Sequence, residues 1–113
     1  MEFRTKKEVV NYFKAMLAEN LNWAIRGLHV IYSYQTAAEK ASGEVTHHNR
    51  QGFSRFDSEI LTSFVNYIRK NNRLTDKQVD VLFRLMPKYA GQLLEHSMAT
   101  GKIVKRDGLY QAA

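Results

Sequence analysis

Apolar residues recur at three- and four-residue intervals through most of this chain, and the breaks between those stripes delimit its elements. Val9, Phe13, Met16 and Leu17 form the first stripe, with Lys6, Lys7, Asn11 and Lys14 between them. Thr5 opens it as one half of a capping box, in which its hydroxyl accepts from the amide of Glu8 and the Glu8 carboxylate reaches back to the amide of Thr5. After a polar dip at Glu19-Asn20, a second stripe runs through Leu21, Ala24, Ile25, Leu28, Ile31 and Tyr32, then fades through residues 35–40. One long bent helix or two helices joined near residue 20 would both give this pattern. A single rod would be about 50 Å long, wider than so small a domain, which favours two.

Ala41-Ser42-Gly43 stops the second stripe, with glycine suited to the left-handed position after a last turn. The stretch GEVTHHNRQG that follows is polar throughout and reads as an exposed loop. Beyond it Ser54 is the expected N-cap of a third helix, with Asp57 and Glu59 at the positive end of the helix dipole. Its apolar face is Ile60, Leu61, Phe64, Val65 and Ile68, and Asn71-Asn72 ends it. Thr75 starts a fourth helix with a second capping box, closed by Gln78, and Val79, Leu82, Phe83 and Met86 supply its stripe. Pro87 cannot continue that helix without losing a hydrogen bond and turns Met86 away from helical backbone. Proline does fit the first turn of a further helix, carried by Tyr89, Leu93, Leu94 and Met98 and closed by Thr100-Gly101.

In the tail KIVKRDGLYQAA, two short extended pieces flank Asp107-Gly108, a hairpin signal. An isolated hairpin is marginal in water, so a frayed tail is the other reading. The expected fold is all-α: a compact bundle of four to five short helices, with a short C-terminal β-hairpin if the tail is ordered. The parts are N-terminal helices over 1–42, a polar loop over 43–53, C-terminal helices over 54–101 and a basic tail or hairpin over 102–113, all in one domain.

Length and composition narrow the function classes. At 113 residues the chain suits one core and excludes a two-lobed enzyme with a cleft between domains. The lack of cysteine excludes disulfides, thiolate zinc sites and a thiol nucleophile. No apolar run approaches the ~20 residues of a membrane span, and the opening MEFRTKKEVV has no signal-peptide core. A soluble protein of the cytoplasm, in a bacterial host cell, is the expectation, with no membrane partner.

The 17 Lys and Arg against 11 Asp and Glu give a charge of +6, and it is unevenly placed. Residues 1–48 hold six basic and five acidic residues, a net of +1, whereas residues 49–113 hold eleven and six, a net of +5. The basic residues of the second half gather in three groups: Arg69, Lys70 and Arg73 around one inter-helix turn; Lys77, Arg84 and Lys88 along the fourth helix and its end; Lys102, Lys105 and Arg106 in the tail. Such groups release counterions from a phosphate backbone and bind nucleic acid in a salt-dependent way. Asn71, Asn72 and Gln78 could add hydrogen bonds to phosphate or bases. The competing reading is a solvated face that serves solubility. The helix–turn–helix spacing around NNRLT fits DNA binding loosely, and Asp76 and Asp80 would face phosphate there.

Other chemistry finds little purchase. His47-His48 with Glu44 in the polar loop makes a metal conceivable, but adjacent histidines do not close a site, and His29 and His96 fall on helices without convergence. No Gly-x-Ser-x-Gly elbow, phosphate-cradling glycine loop, dinucleotide fingerprint or acid/base carboxylate pair occurs. The sequence implies no catalytic residue, no metal and no cofactor. Of its thirteen aromatics most lie on apolar stripes. Tyr32 and Tyr34, two apart on a helix, cannot both face inward. Tyr34, Phe53 and Phe56 flank the polar loop, either to pin it or to form an exposed platform for a partner.

Gln35-Thr36 and Glu39, Gly52-Phe53, Asp57, Ser63-Phe64, Leu74-Thr75, Lys77-Gln78 and Met86-Pro87-Lys88-Tyr89-Ala90-Gly91-Gln92-Leu93 together follow the pattern "GF…D…S…LT.KQ…KY..QL". In these residues the chain resembles a small helical module of phage and mobile-element proteins, over about residues 34–94. Asn49-Arg50-Gln51 stands where that pattern usually has asparagine-glycine. The resemblance implies a phage or mobile-element origin and assigns no activity. Three functions follow as expectations. The first is a non-enzymatic accessory protein that binds DNA or RNA through its basic half, by Arg69, Lys70, Asn71, Arg73, Lys77, Arg84, Lys88, Lys102, Lys105 and Arg106. The second is a small inhibitor, of anti-CRISPR or anti-restriction type, that meets an acidic or nucleic-acid-binding host complex. The third is a homo-oligomeric structural protein.

Overall fold

The computed structural model of the chain describes residues 2–42 and 52–113, residues 37–42 by their helical backbone alone. Glu44 and the His47-His48 pair lie outside the described residues. The elements run β1 (Glu2–Phe3), α1 (Lys6–Glu19), α2 (Leu21–Ser42), α3 (Ser58–Asn71), α4 (Asp76–Leu85), a 3₁₀ turn (Met86–Tyr89), α5 (Ala90–Ala99), β2 (Ile103–Arg106) and β3 (Leu109–Ala112). The fold is a mostly helical bundle with a small antiparallel sheet of order β1-β3-β2.

The polar dip near residue 20 separates two helices, and one side chain accounts for it. Asn20 adopts extended backbone as its amide donates to Met16 O, which ends α1. Its Oδ1 accepts from the amide of Trp23 at 3.2 Å, which starts α2. Asn20 therefore caps both helices. At Thr5 the hydroxyl accepts from Glu8 as the sequence predicts, but the Glu8 carboxylate takes the amide of Arg4 at 2.9 Å rather than that of Thr5. The second capping box forms in full between Thr75 and Gln78. Asn72, left-handed at φ 62°, ends α3.

Two expectations need correction, and a third is extended by an added strand. Helix α3 starts at Ser58 and not after Ser54, because residues 54–57 form a turn in which Ser54 O accepts from the amides of Asp57 and Ser58. Met86 keeps helical backbone despite Pro87, since the chain tightens into the 3₁₀ turn and runs directly into α5. The tail is a hairpin, and it is not isolated: β1, which carries no periodic signal, adds a third strand by pairing Glu2 with Gln111 and Phe3 with Tyr110. Asp107 and Gly108, at φ 52° and 78°, supply the two left-handed positions that a two-residue hairpin turn needs.

Helix α2 is central, packed against α1, α3, α4 and α5. Leu17, Leu28, Ile31, Leu61, Leu82, Met86 and Leu94 are buried in one core. Gly27 lets α2 approach α5 closely: a Cβ there would meet Leu93 Cδ1 at 2.9 Å and Leu17 Cδ2 at 3.1 Å. Tyr32 and Tyr34 do point apart, yet both have partners. Tyr32 packs toward Phe53, and the Tyr34 hydroxyl lies 2.6 Å from His96 Nδ1 on α5. A helix with neighbours on two sides has two inward faces.

Replacing Asn20→Ala removes the cap of α2 and should cost about 1 kcal/mol. A melting temperature lowered by about 4 °C in calorimetry, with helical content kept, is the expected result.

Candidate functional site

The basic residues are all exposed, but they do not form one group. Lys70 and Arg73 flank the α3–α4 turn. Lys77 and Arg84, seven apart on α4, share the face opposite buried Leu82, with Asp80 between them. Arg69 sits over the Tyr32 ring at 5.2 Å, on the side of α3 that meets α2. Burial first, and the Arg69 charge second, lower the pKa of His29. Arg69 is thus partly engaged, by the Tyr32 ring and the neighbouring His29.

Lys88 is not a free contact. Its Nζ lies 2.6 Å from Oδ2 of Asp57, whose side chain is only 7% exposed. The tail cations diverge as well. Lys102 precedes β2, whereas Lys105 pairs across from Tyr110 and lies 5.3 Å over its ring. Arg106, one residue on, points from the opposite face of the sheet. The amides read as base contacts are used locally: Asn71 Nδ2 donates to Tyr67 O at 3.1 Å, and Gln78 Oε1 accepts from the amide of Thr75 at 2.8 Å. Helix ends claim them first.

Around Asp57 lies a polar network built from residues that the sequence pattern groups but gives no contact. Three successive amides with no regular secondary structure are each taken by a side chain. Gly52 N–H donates to Gln92 Oε1 at 2.9 Å, Phe53 N–H to Gln35 Oε1 at 3.2 Å, and Ser54 N–H to the Tyr89 hydroxyl at 3.0 Å. Gln92 returns a bond from Nε2 to Gly52 O at 3.1 Å, and Gln35 Nε2 donates to Ser58 Oγ at 3.0 Å. Gly52 has φ 98°, where a Cβ would also sit 3.2 Å from Gln35 Cβ. Phe53, buried against Tyr32 and Tyr89, plugs the core beneath. Of the flanking aromatics Phe53 and Tyr34 pin the structure, whereas Phe56 is 93% exposed.

The Tyr89 hydroxyl donates to Asp57 Oδ2 at 2.6 Å. Burial would raise the Asp57 carboxyl, but hydrogen bonds from Lys88 and Tyr89, helped by the Lys88 charge, outweigh it and hold the group below 3.8. Burial and the bond to Asp57 push Tyr89 up to about 12. The phenol so raised donates to Asp57 across the neutral range. Among the described residues no group of three or more His, Asp and Glu could hold a metal.

Gln35, Gly52, Phe53, Asp57, Lys88, Tyr89 and Gln92 are thus brought into one network from three separate stretches of chain. All seven stand in the residue pattern quoted above from the sequence, which grouped them without showing that they meet. Compared with family models, curated proteins and solved structures, the chain matches none.

The shifts fix the pH behaviour. A carboxyl lowered below 3.8 stabilises the fold above that value and loses its contribution as pH falls through the folded pKa. A phenol raised from 10.0 to about 12 contributes fully below 10.0 and loses it as pH climbs to about 12. Tyr89→Phe should therefore lose about 1–3 kcal/mol at neutral pH and flatten the alkaline decline, in urea unfolding at a series of pH values. Lys88→Met, whose ammonium is half in water, should cost about 1 kcal/mol or less.

Proposed function

We propose that this protein is a non-enzymatic, nucleic-acid-binding accessory protein of a phage or mobile element. Its contact surface is the α3–α4 turn with the outward face of α4. Lys70, Arg73, Lys77 and Arg84 supply the phosphate contacts, with Arg69 at the margin. The observation that carries this reading is that these four cations are exposed on one helix–turn–helix and none has an ion-pair partner among the described residues. Lys88, bound to Asp57, and the diverging Lys102, Lys105 and Arg106 fall outside the surface. Contacts of this kind position a backbone without reading bases, since Asn71 and Gln78 already serve the helix ends. The residues that resemble the phage and mobile-element module support the origin.

A second reading, a small inhibitor of a host defence complex, draws on one feature. Asp76 and Asp80 share the exposed side of α4 with Lys77 and Arg84, and a mixed-sign face suits a protein surface better than phosphate. The two readings part in a pull-down from nuclease-treated host lysate, where a retained protein partner favours the inhibitor.

For nucleic-acid binding the expected behaviour is steep salt dependence. With four phosphate contacts, affinity for a labelled duplex should fall about 100-fold between about 50 and 200 mM salt in fluorescence anisotropy. The Lys70→Gln, Lys77→Gln pair should weaken binding and flatten that slope, while Arg106→Gln should leave it unchanged. No binding at the lower salt refutes the proposal.

A further inference from the structure

Between the inner face of the sheet and helices α1, α2 and α5 lies an open cavity of about 390 Å³. Four rings line it in an unbroken run. Phe3 meets Tyr12 with centroids 5.4 Å apart, Tyr12 meets Trp23 edge-on at 5.9 Å, and Trp23 meets Phe13 at 5.0 Å. Sequence periodicity places Phe13 on an apolar stripe, and here it lines the cavity together with Tyr12 and Trp23. Two cations, Arg26 on α2 and Lys102 before β2, belong to the same lining. Neither has an ion-pair partner among the described residues.

A void of this size is within the range of small-molecule sites and far above what imperfect packing leaves in a core. Against the ring wall water gains little, because Phe3, Tyr12, Phe13 and Trp23 offer few of the two to four hydrogen-bond partners each molecule needs. An apolar body gains by leaving water, and flat rings favour a flat or chain-like one. The two unpaired cations at the lining select for a negative group on that body.

We propose that this cavity binds a small amphiphilic anion, with an aromatic or aliphatic body against Phe3, Tyr12, Phe13 and Trp23 and one carboxylate, sulfonate or phosphate group held by Arg26 and Lys102. The site shares no residue with the α3–α4 surface and does not depend on nucleic-acid binding.

Trp23 is the single tryptophan, so its fluorescence reports the cavity directly. The test is a titration of the full chain with 8-anilino-1-naphthalenesulfonate and, separately, with the uncharged N-phenyl-1-naphthylamine, which keeps the rings and lacks the sulfonate. Expected is saturable quenching of Trp23 at one site per chain, tighter for the sulfonate. The Arg26→Gln, Lys102→Gln double variant should weaken the sulfonate about tenfold and leave the neutral probe unchanged. Ser97→Phe, which fills the cavity from α5, should weaken both. Both changes lie at positions outside the buried core, and circular dichroism checks that each variant is folded. Absence of saturable quenching in folded protein, or sulfonate binding that is indifferent to the double variant, overturns the proposal.

Discussion

Asp57 is a carboxylate taken out of water between two helices, and a buried charge is tolerated only when it is paired and hydrogen-bonded. Tyr89 meets it from the core side and Lys88 from the solvent side, both at 2.6 Å. Two adjacent residues converge on one oxygen because they stand on the 3₁₀ turn Met86–Tyr89, where Pro87 has ended the regular helix. The same hydroxyl takes the amide of Ser54, so the start of α3 is tied to the start of α5 through a single phenol. Phe53 is then fixed in register beneath it, with Gln92 and Gln35 on either side. Take the carboxylate away and the segment from Gly52 to Ser58 keeps its amide contacts but loses the charge that orients Tyr89. The segment from Gly52 to Ser54 is thus held by side chains where a sheet or helix would use backbone.

This arrangement explains what the chain disclosed in advance and what it hid. Helix stripes and caps depend on residues three or four apart, and Thr75-Gln78, Asn72 and the break at Asn20 were all legible for that reason. Ser54 looked like an N-cap because it has the right chemistry one turn before an apolar face. Its amide instead belongs to a tyrosine 35 positions on. Strand β1 was invisible, since two residues cannot show a period and their partner lies at the far end of the chain. The basic surface was legible as composition but not as geometry. Whether Lys88 is free depends on Asp57, and whether Lys105 and Arg106 act together depends on the pleat of a strand.

Charge therefore has two roles in the second half of the molecule. At Asp57 it is internal, with one lysine neutralising a carboxylate that would otherwise oppose folding. On α4 it is external, and the signs alternate as Lys77, Asp80 and Arg84 along one face. A phosphate backbone presents one sign only, so Asp80 weakens the field of the cations three and four residues away from it. The proposed contact then belongs at the turn, where Lys70 and Arg73 have no acid beside them in sequence. Arg69 borders the turn but lies on Tyr32, so it helps hold α3 to α2.

The sheet adds a constraint of a different kind. Three strands of two and four residues are too small to cover the side of a helical bundle, and only Phe3, Ile103 and Tyr110 reach the core from them. A larger sheet would close over α1, α2 and α5 and seal the space. This one leans on α5 through β2 and on α1 through β1, and leaves the rings of Tyr12, Phe13 and Trp23 facing a gap. The small sheet is anchored at both its edges to helices, so it cannot collapse into the cavity without breaking the β1–β3 pairing or the packing of β2 on α5. The elements around the opening are fixed by contacts elsewhere, so the proposed site would need no rearrangement to accept a ligand.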